Sequence, residues 1–319
     1  MRLLSRACGI LGFVAATATA LAIGLGAAQA ADKLRVVFVT HGQAGDPYWN
    51  AVKNGVTEAG KQFDADVQYE APETFDMSQM AKMIDAAAAS NPDGLVVSIP
   101  DGDALGPSIK AAVAAGIPVI GIDSGLTVFA KLGVSAYLGQ DEYLAGVAVG
   151  QRLAAAGATH ILCINHEVGN VDLDNRCRGI EDGSKAKVTV LPVPTDPNEV
   201  RARVASALQQ DKTIDALQAL GPLGAVPMLR AVEETDSKGR LKAMATFDMT
   251  PEVLEKVQDG TLLFATDAQQ FMMGYLPVVM FRLYKDYGVM PTQAWPTGPG
   301  FITKADAGKV LELSKMGYR

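Results

Sequence analysis

The sequence predicts an α/β fold made of two lobes, each built around a parallel sheet. Short runs rich in β-branched residues alternate with longer segments of helical periodicity, which is typical of βαβ units. The runs fall into two sets of about five, which meet at residues 135–146. No low-complexity linker separates the two sets, and this favours lobes connected by a hinge over domains on a flexible tether.

Ten runs are predicted to be strands. In the first set they are 34–39, 65–69, 94–99, 117–122 and 135–139; in the second set they are 159–164, 187–191, 214–220, 241–246 and 262–266. The segments between them predict helices, at 47–63, 77–90, 104–115, 142–156, 198–210, 223–234 and 251–258. Asp46 is suited to cap a helix that starts at Pro47, and Gly116 is suited to end the helix before it.

Length and composition set limits on the class of protein. The chain has 319 residues, enough for two domains, and 49% of them are hydrophobic, which is typical of a globular protein and not of a disordered or fibrous one. It carries 28 basic and 35 acidic residues, and no run of five or more basic residues occurs. This charge pattern argues against DNA or RNA as a partner.

The first thirty residues have the pattern of a signal peptide. Two arginines precede an apolar run over residues 8–28, and Ala-Gln-Ala at 28–30 has the small-x-small form of a cleavage site. We therefore expect residues 1–30 to be removed before Ala31 and the mature chain to be exported to the periplasm. The run is also long enough to cross a bilayer, so an uncleaved anchor is the alternative.

Export changes what the cysteines are expected to do. Cys163 lies in an apolar strand, and Cys177 lies fourteen residues later, near the expected start of a helix. In an oxidising compartment the two can form a disulfide, and the alternative is a pair of buried free thiols. The mature chain has no third thiol and the whole chain has three histidines, so neither a zinc site nor any cofactor is predicted.

Polar and aromatic side chains follow several of the strands, where open parallel sheets bind ligands. Asp46, Tyr48 and Trp49 follow the first strand. Aromatic faces stack on sugar rings while carboxylates bind hydroxyl groups, which predicts a sugar site. The alternative is that one ring packs in the core. Because the two rings share one helical turn, we expect at least one of them to face the cleft.

Lone carboxylates follow two more strands, at Asp123 and at Asp248, where a helix cap is the alternative role. Asp267 and Gln269 follow the tenth strand. Of the two arginines in residues 175–179, one could reach the cleft and the other would be solvated. His166 and Glu167 form the one acid–base pair with catalytic potential, but a His at the cleft rim or bonded to a ligand is the favoured interpretation.

Five segments together resemble the ribose-binding-protein family, the type I periplasmic solute-binding proteins that supply sugar ABC transporters. In chain order they are Asp-Pro-Tyr-Trp-Asn at 46–50, Pro-Asp-Gly-Leu-Val-Val at 92–97, Ala-Gly-Ile-Pro-Val-Ile-Gly-Ile-Asp at 115–123, Arg176-x-x-Gly179-Ile180 and Thr-Phe-Asp-Met-Thr-Pro-Glu at 246–252. The resemblance covers residues 34–302. A sub-branch of simple-sugar binders is similar at 162–167, 274–278 and 297–299.

The resemblance implies two Rossmann-like lobes joined by a three-segment hinge, near 138–141, 266–269 and 296–299. The first lobe would comprise residues 31–138 plus 268–297, and the second 139–267 plus 298–319. It also implies the ligand contacts. The ligand-binding residues expected from the strand ends and the resemblance together are Asp46, Tyr48, Trp49, Asp123, Ser124, His166, Arg176, Asp248, Asp267 and Gln269.

The chain departs from the family pattern at three places. Ser124 stands where ribose-type members have an arginine, and Gly221-Pro222-Leu223 replaces an Asn-Asp pair. Ala268 falls at the family's glutamine, which leaves Asp267 and Gln269 as substitutes. The smaller number of side-chain donors argues against assuming ribose as the ligand.

The predicted function is reversible capture of a sugar or polyol by a monomer that delivers it to the permease of an ABC transporter. Sensory input to a membrane chemoreceptor or kinase is an alternative. A sugar-modifying enzyme is less favoured, because the sequence lacks the Gly-x-Ser-x-Gly, phosphate-loop and dinucleotide-binding motifs. A sugar-responsive transcription factor would need a helix-turn-helix where this chain has an export signal.

Overall fold

A computed structural model describes residues 33–42 and 46–319. The predicted signal peptide at 1–30 and the alternative of a membrane anchor lie outside these residues. Within the described ranges, the helices are too short or too polar to cross a bilayer.

The first half of the described chain alternates strands and helices. Its elements are β1 (Leu34–Val39), α1 (Pro47–Gln62), β2 (Ala65–Glu70), α2 (Met77–Ala89), β3 (Gly94–Ser98), α3 (Gly102–Ala114), β4 (Val119–Ile122), β5 (Ala136–Gly139) and α4 (Glu142–Ala155). Aspartates cap four of these helices through backbone N–H groups of the first turn, at Asp46, Asp76, Asp101 and Asp141.

The second half repeats the alternation. Its elements are β6 (His160–Asn165), α5 (Val171–Ser184), β7 (Lys187–Pro192), α6 (Pro197–Gln210), β8 (Ala216–Ala219), α7 (Pro222–Glu234), β9 (Ala243–Phe247), α8 (Pro251–Asp259), β10 (Ala265–Asp267), α9 (Gln270–Tyr287), β11 (Ala294–Pro296), β12 (Gly300–Ile302) and α10 (Lys304–Lys315). All ten predicted strands are present, with bounds within three residues of those expected.

The strands form two six-stranded sheets, one for each lobe. The first sheet has the order β11-β5-β4-β3-β1-β2 and the second has the order β12-β10-β9-β8-β6-β7. Every pairing is parallel except that of β10 with β12. Strands such as β3 and β6 are buried along their whole length, because helices cover both faces of each sheet. The predicted α/β class with two lobes is confirmed.

The chain passes between the two sheets three times. It leaves the first sheet after β5, returns after β10 and leaves again after β11, at residues 140–141, 268–269 and 297–299. Each passage lies beside one of the hinge segments that the family resemblance implies. The lobe bounds drawn from the sequence, and the hinge motion itself, remain predictions.

Several features differ from the sequence-based expectation. Asn170 caps α5, so Cys177 lies in the middle of that helix and not at its start. Helices α9 and α10 and strands β11 and β12 were not predicted. Gly274 and Pro277 interrupt the helical signal of α9, although Gly274 is required there, since a Cβ would lie 2.0 Å from the carbonyl oxygen of Val52 in α1.

Cys163 and Cys177 form a disulfide in the structure. Both are buried, and the bond joins β6 to α5 in the second lobe. The loop between these two elements and the first half of α5 carry most of the second lobe's polar residues that line the cavity. The disulfide therefore links the strand and the helix that build one half of the site described next.

Candidate functional site

A cavity that is partly open to solvent, with about 410 Å³ of empty space when that solvent is included, lies between the two lobes at the carboxyl ends of their strands. The first lobe contributes His41, Asp46, Tyr48, Trp49, Asp123 and Ser124. The second contributes His166, Glu167, Asn170, Asp172, Leu173, Arg176, Leu220, Gly221, Pro222 and Asp248. Eight of the ten sequence-predicted ligand residues thus line one cavity.

Asp123 and Asp248 lie directly after β4 and β9, one in each lobe. Both have left-handed backbone, with φ of 64° and 59°. The helix-cap alternative is wrong for both, because Thr250 caps α8 and no helix starts at Asp123. The Asp123 carboxylate accepts hydrogen bonds from the Tyr48 hydroxyl and from Ser124 Oγ, the latter at 2.8 Å. Non-glycine residues in this conformation are uncommon and concentrate at functional sites.

Tyr48 and Trp49 both line the cavity and both pack in the core of the first lobe. They are 8% and 2% exposed. The expectation that at least one ring faces the cleft agrees with this placement, and the alternative of core packing applies to both rings as well. The Trp49 ring meets the His41 ring edge-on at 4.8 Å. Gly42 is required beside it, because a Cβ there would lie 2.3 Å from the indole.

Arg176 is held by a carboxylate that the sequence analysis did not identify. Its Nε and Nη2 donate to the two carboxylate oxygens of Glu142, at 2.5 and 3.0 Å. Its Nη1 donates to the Leu220 carbonyl at 2.9 Å and lies 3.6 Å from Asp248 Oδ2. Burial disfavours the charged guanidinium, but Glu142 and Asp248 raise the pKa of Arg176 well above its ordinary value.

Glu142 directly follows the first passage between lobes, and it is 5% exposed. Gln140, which lies in that passage, donates to Glu142 Oε2 at 3.0 Å. The Arg176–Glu142 pair therefore connects the cavity to the segment that joins the lobes. From the sequence, Glu142 fits an ordinary acidic residue in the first turn of a helix, and only the fold shows its partner.

His41 lines the cavity and was not among the predicted ligand-binding residues. Its Nδ1 lies 2.8 Å from Ser98 Oγ, which already accepts the His41 backbone N–H at 2.9 Å. The serine hydroxyl can thus donate to Nδ1, which places the imidazole proton on Nε2. That nitrogen lies 3.7 Å from Asp123 Oδ2 and 3.6 Å from Glu167 Oε2. Burial lowers the pKa of His41 to about 4, so the ring is neutral at pH 7.

His166 and Glu167 lie in the loop after β6 and both face the cavity. Burial lowers the pKa of His166 to about 3. Its buried Nδ1 has no partner in the described part of the chain. Burial raises the pKa of Glu167 to about 8, although Asn170 Nδ2 donates to its carboxylate at 2.8 Å. Burial also raises the pKa of Asp46, to about 6.

Direct hydrogen bonds join the two lobes beside the cavity. The Gly125 backbone N–H of the first lobe donates to Asp172 Oδ2 of the second at 2.9 Å. The Val171 N–H donates to the Pro100 carbonyl at 3.2 Å. The first turn of α5 therefore lies directly against the loops that follow the strands of the first lobe.

Asp267 and Gln269, predicted as ligand contacts, do not line the cavity. Asp267 forms an ion pair with Arg319, and the Gln269 side-chain amide donates to the Thr297 carbonyl. The chain turns at Gln269, where φ is 57°, and this turn directs both side chains to the lobe junction. The next residue reaches the site instead: Gln270 Nε2 donates to Asp248 Oδ1 at 2.8 Å.

Comparisons with known proteins agree with this architecture. The sequence model described as a periplasmic binding protein domain matches residues 36–286. The chain belongs to this family. The resemblance to type I periplasmic solute-binding proteins seen in the sequence is confirmed.

The names of several relatives of this periplasmic binding protein state what they bind or transport. It is 26% identical over 301 residues to the xylose/arabinose-binding protein XylF of Sulfolobus acidocaldarius, covering 88% of this chain and 74% of that protein. It is similar to a carbohydrate transporter structure from Acidothermus cellulolyticus 11B in complex with myo-inositol, at 34% identity and a TM-score of 0.85, covering 90% of this chain and all of that one. A periplasmic sugar-binding protein structure from Legionella pneumophila has 26% identity and a TM-score of 0.77, covering 83% of this chain and all of that one.

Replacing Glu142 by Ala is expected to destabilise the protein by about 3–5 kcal/mol, because it leaves the Arg176 guanidinium buried without its partner. Adding Arg176→Met to that variant should recover much of the loss. Denaturant unfolding measures both values. As a matched control, Glu234→Ala breaks the exposed pair with Arg201 and should change stability by about 1 kcal/mol or less. Equal losses from the buried and the exposed variant would contradict this account.

Glu167→Gln is expected to become more stable than the wild type as the pH rises. The buried Glu167 has a pKa of about 8 against an ordinary 4.5, so the folded protein binds this proton more tightly than the unfolded chain does. Its contribution is fully present below pH 4.5 and is lost as the pH rises to 8. Thermal unfolding across this range should show the two melting temperatures diverging, with Glu255→Gln, an exposed control, following the wild type. Parallel curves for all three proteins would show that Glu167 ionises freely in the folded state.

Proposed function

We propose that the protein captures a small polyhydroxylated molecule, a sugar or polyol, in the cleft between its lobes and releases it unchanged. The observation that carries the proposal is the cleft at the strand ends of both lobes, where polar and aromatic side chains from each lobe meet. Its lining combines carboxylates, imidazoles and an amide, which bind hydroxyl groups, with two aromatic rings.

The site is divided between the lobes, and this division supports capture by closure. Asp123 and Tyr48 belong to the first lobe, whereas Asp248 and Arg176 belong to the second. A ligand that contacts both sets stabilises the closed form over an open one, by the difference between the contacts it makes in the two. Three passages of chain between the lobes act as the hinge.

The class of ligand is drawn from the site and from the relatives together. Ser124 and Gly221-Pro222 offer fewer side-chain donors than ribose-type sites, which disfavours ribose. The Acidothermus structure, a relative at 34% identity, holds myo-inositol. A cyclic polyol with hydroxyl groups around its rim suits a lining rich in hydrogen-bond acceptors, so myo-inositol is the first ligand to test.

The role in the cell follows from the family. A periplasmic, monomeric protein would deliver its ligand to the permease of an ABC transporter, and the closed lobes would form the surface that the permease meets. Sensory input to a membrane chemoreceptor or kinase uses the same closed form and is the second candidate. Recovery of the ligand without chemical change separates both roles from that of an enzyme.

Calorimetry of the mature protein against myo-inositol, other polyols, pentoses and hexoses is expected to give one 1:1 ligand, recovered unchanged, that raises the melting temperature. Asp123→Ala should weaken its binding at least tenfold, since a buried hydroxyl loses its acceptor and about 1–3 kcal/mol. Glu255→Ala, on the exposed face of α8, is the control and should bind as the wild type does. Turnover of the ligand, or binding that Asp123→Ala leaves unchanged, would contradict the proposal.

A further inference from the structure

The charges of the cavity lining are strongly unequal, and this imbalance bears on the ligand of the proposed function. The lining contains five carboxyl groups but only one guanidinium group among its described residues. The carboxyl groups belong to Asp46, Asp123, Glu167, Asp172 and Asp248. They come from both lobes, and closure brings them together.

The one guanidinium, that of Arg176, lies 3.6 Å from Asp248 Oδ2 but cannot neutralise all five carboxyl groups. Arg176 gives two of its hydrogen bonds to Glu142, which lies behind it and outside the cavity lining, and a third to the Leu220 carbonyl. Its charge is matched by this pairing. The neighbouring imidazoles add no positive charge, because burial lowers the pKa of His41 to about 4 and that of His166 to about 3.

Carboxylate oxygens from the two lobes come near one another at the His41 ring. Its Nε2 lies within 3.7 Å of carboxylate oxygens from both lobes, those of Asp123 and Glu167. Like charges enclosed together in a site of low dielectric are unfavourable unless a positive group joins them. Burial, together with the nearby carboxylates, raises the pKa of Glu167 to about 8 and that of Asp46 to about 6, so both groups tend to keep a proton.

A metal ion is not the positive group that these carboxylates are placed to bind. No group of three His, Cys, Asp or Glu side chains in the part of the chain that the structure describes is placed to hold one. A separate observation indicates a ligand with hydrogen-bonding groups. His166, only 9% exposed, lines the cavity and leaves its buried Nδ1 without a protein partner among the described residues.

We propose that the cleft selects polyols by charge: it favours one that carries a protonated amine over the neutral polyol of the same skeleton, and it rejects sugars that carry a carboxylate or phosphate. The amine would lie between Asp123 and Glu167 and bridge the two lobes. The remaining hydroxyl groups would donate to the other carboxylates. This proposal rests on the proposed function, because it concerns the same cavity.

The test compares ligands that differ only in charge. Calorimetry at pH 7 would use myo-inositol, an amino-deoxy-inositol and an inositol monophosphate, together with glucose, glucosamine and glucuronate. In the skeleton that binds, the amine is expected to bind at least tenfold more tightly than the neutral compound, and the acid at least a hundredfold more weakly. A neutral ligand that binds as tightly as its amine, or an acid that binds best, would overturn the charge selection and leave the proposed function standing. If no compound of either series binds, both proposals fail.

A matched pair of variants locates the effect. Glu167→Gln keeps the shape of the side chain but cannot become negative, so the ratio of the amine's affinity to that of the neutral polyol should fall from at least tenfold to less than about threefold, whatever happens to the neutral polyol itself. Glu255→Gln removes one carboxylate from the exposed face of α8 and should leave the full advantage in place. Equal loss in both variants, or no loss in either, would show that the preference does not arise from the bridge between Asp123 and Glu167.

Discussion

The structure depends on one geometric constraint: all the strands that precede the site are parallel, so within each lobe they end at the same edge of the sheet. The chain leaves β1 and β4 at one edge, and β6 and β9 at the facing edge of the other lobe. These strands are mostly apolar, and the polar groups that line the cavity follow their last residues. Closing the two edges on each other forms a polar cavity between two apolar cores.

This constraint explains how far the sequence could predict the site. Asp123 and Asp248 are lone carboxylates after apolar runs, and a local pattern is sufficient to find them. Glu142 could not be found in the same way, because its function comes from a guanidinium 34 residues away. A difference of one residue separates Gln269, which turns away to the lobe junction, from Gln270, which reaches Asp248. A backbone turn decides between them, and residue spacing does not reveal it.

The fold was easier to predict than the site, for a related reason. Alternating apolar runs and helices repeat along most of the chain, and each repeat strengthens the prediction that the others are βαβ units. Helix α9 is one element that was not predicted, because Gly274 and Pro277 interrupt its helical pattern in the sequence. Gly274 is there because α9 packs closely on α1 in the first lobe, after the second passage between the sheets. The close contact between α9 and α1 therefore requires a glycine, and this glycine weakens the helical pattern of α9 in the sequence.

The central claim is that closure encloses a ligand among the carboxylates at the strand ends. A crystal structure of the mature protein grown with the polyol that most raises its melting temperature tests this most directly. The account predicts closed lobes with the polyol between Asp123 and Asp248, its hydroxyl groups within hydrogen-bond distance of both carboxylates. A polyol bound elsewhere on the surface, with these two side chains in contact only with protein and water, would contradict it.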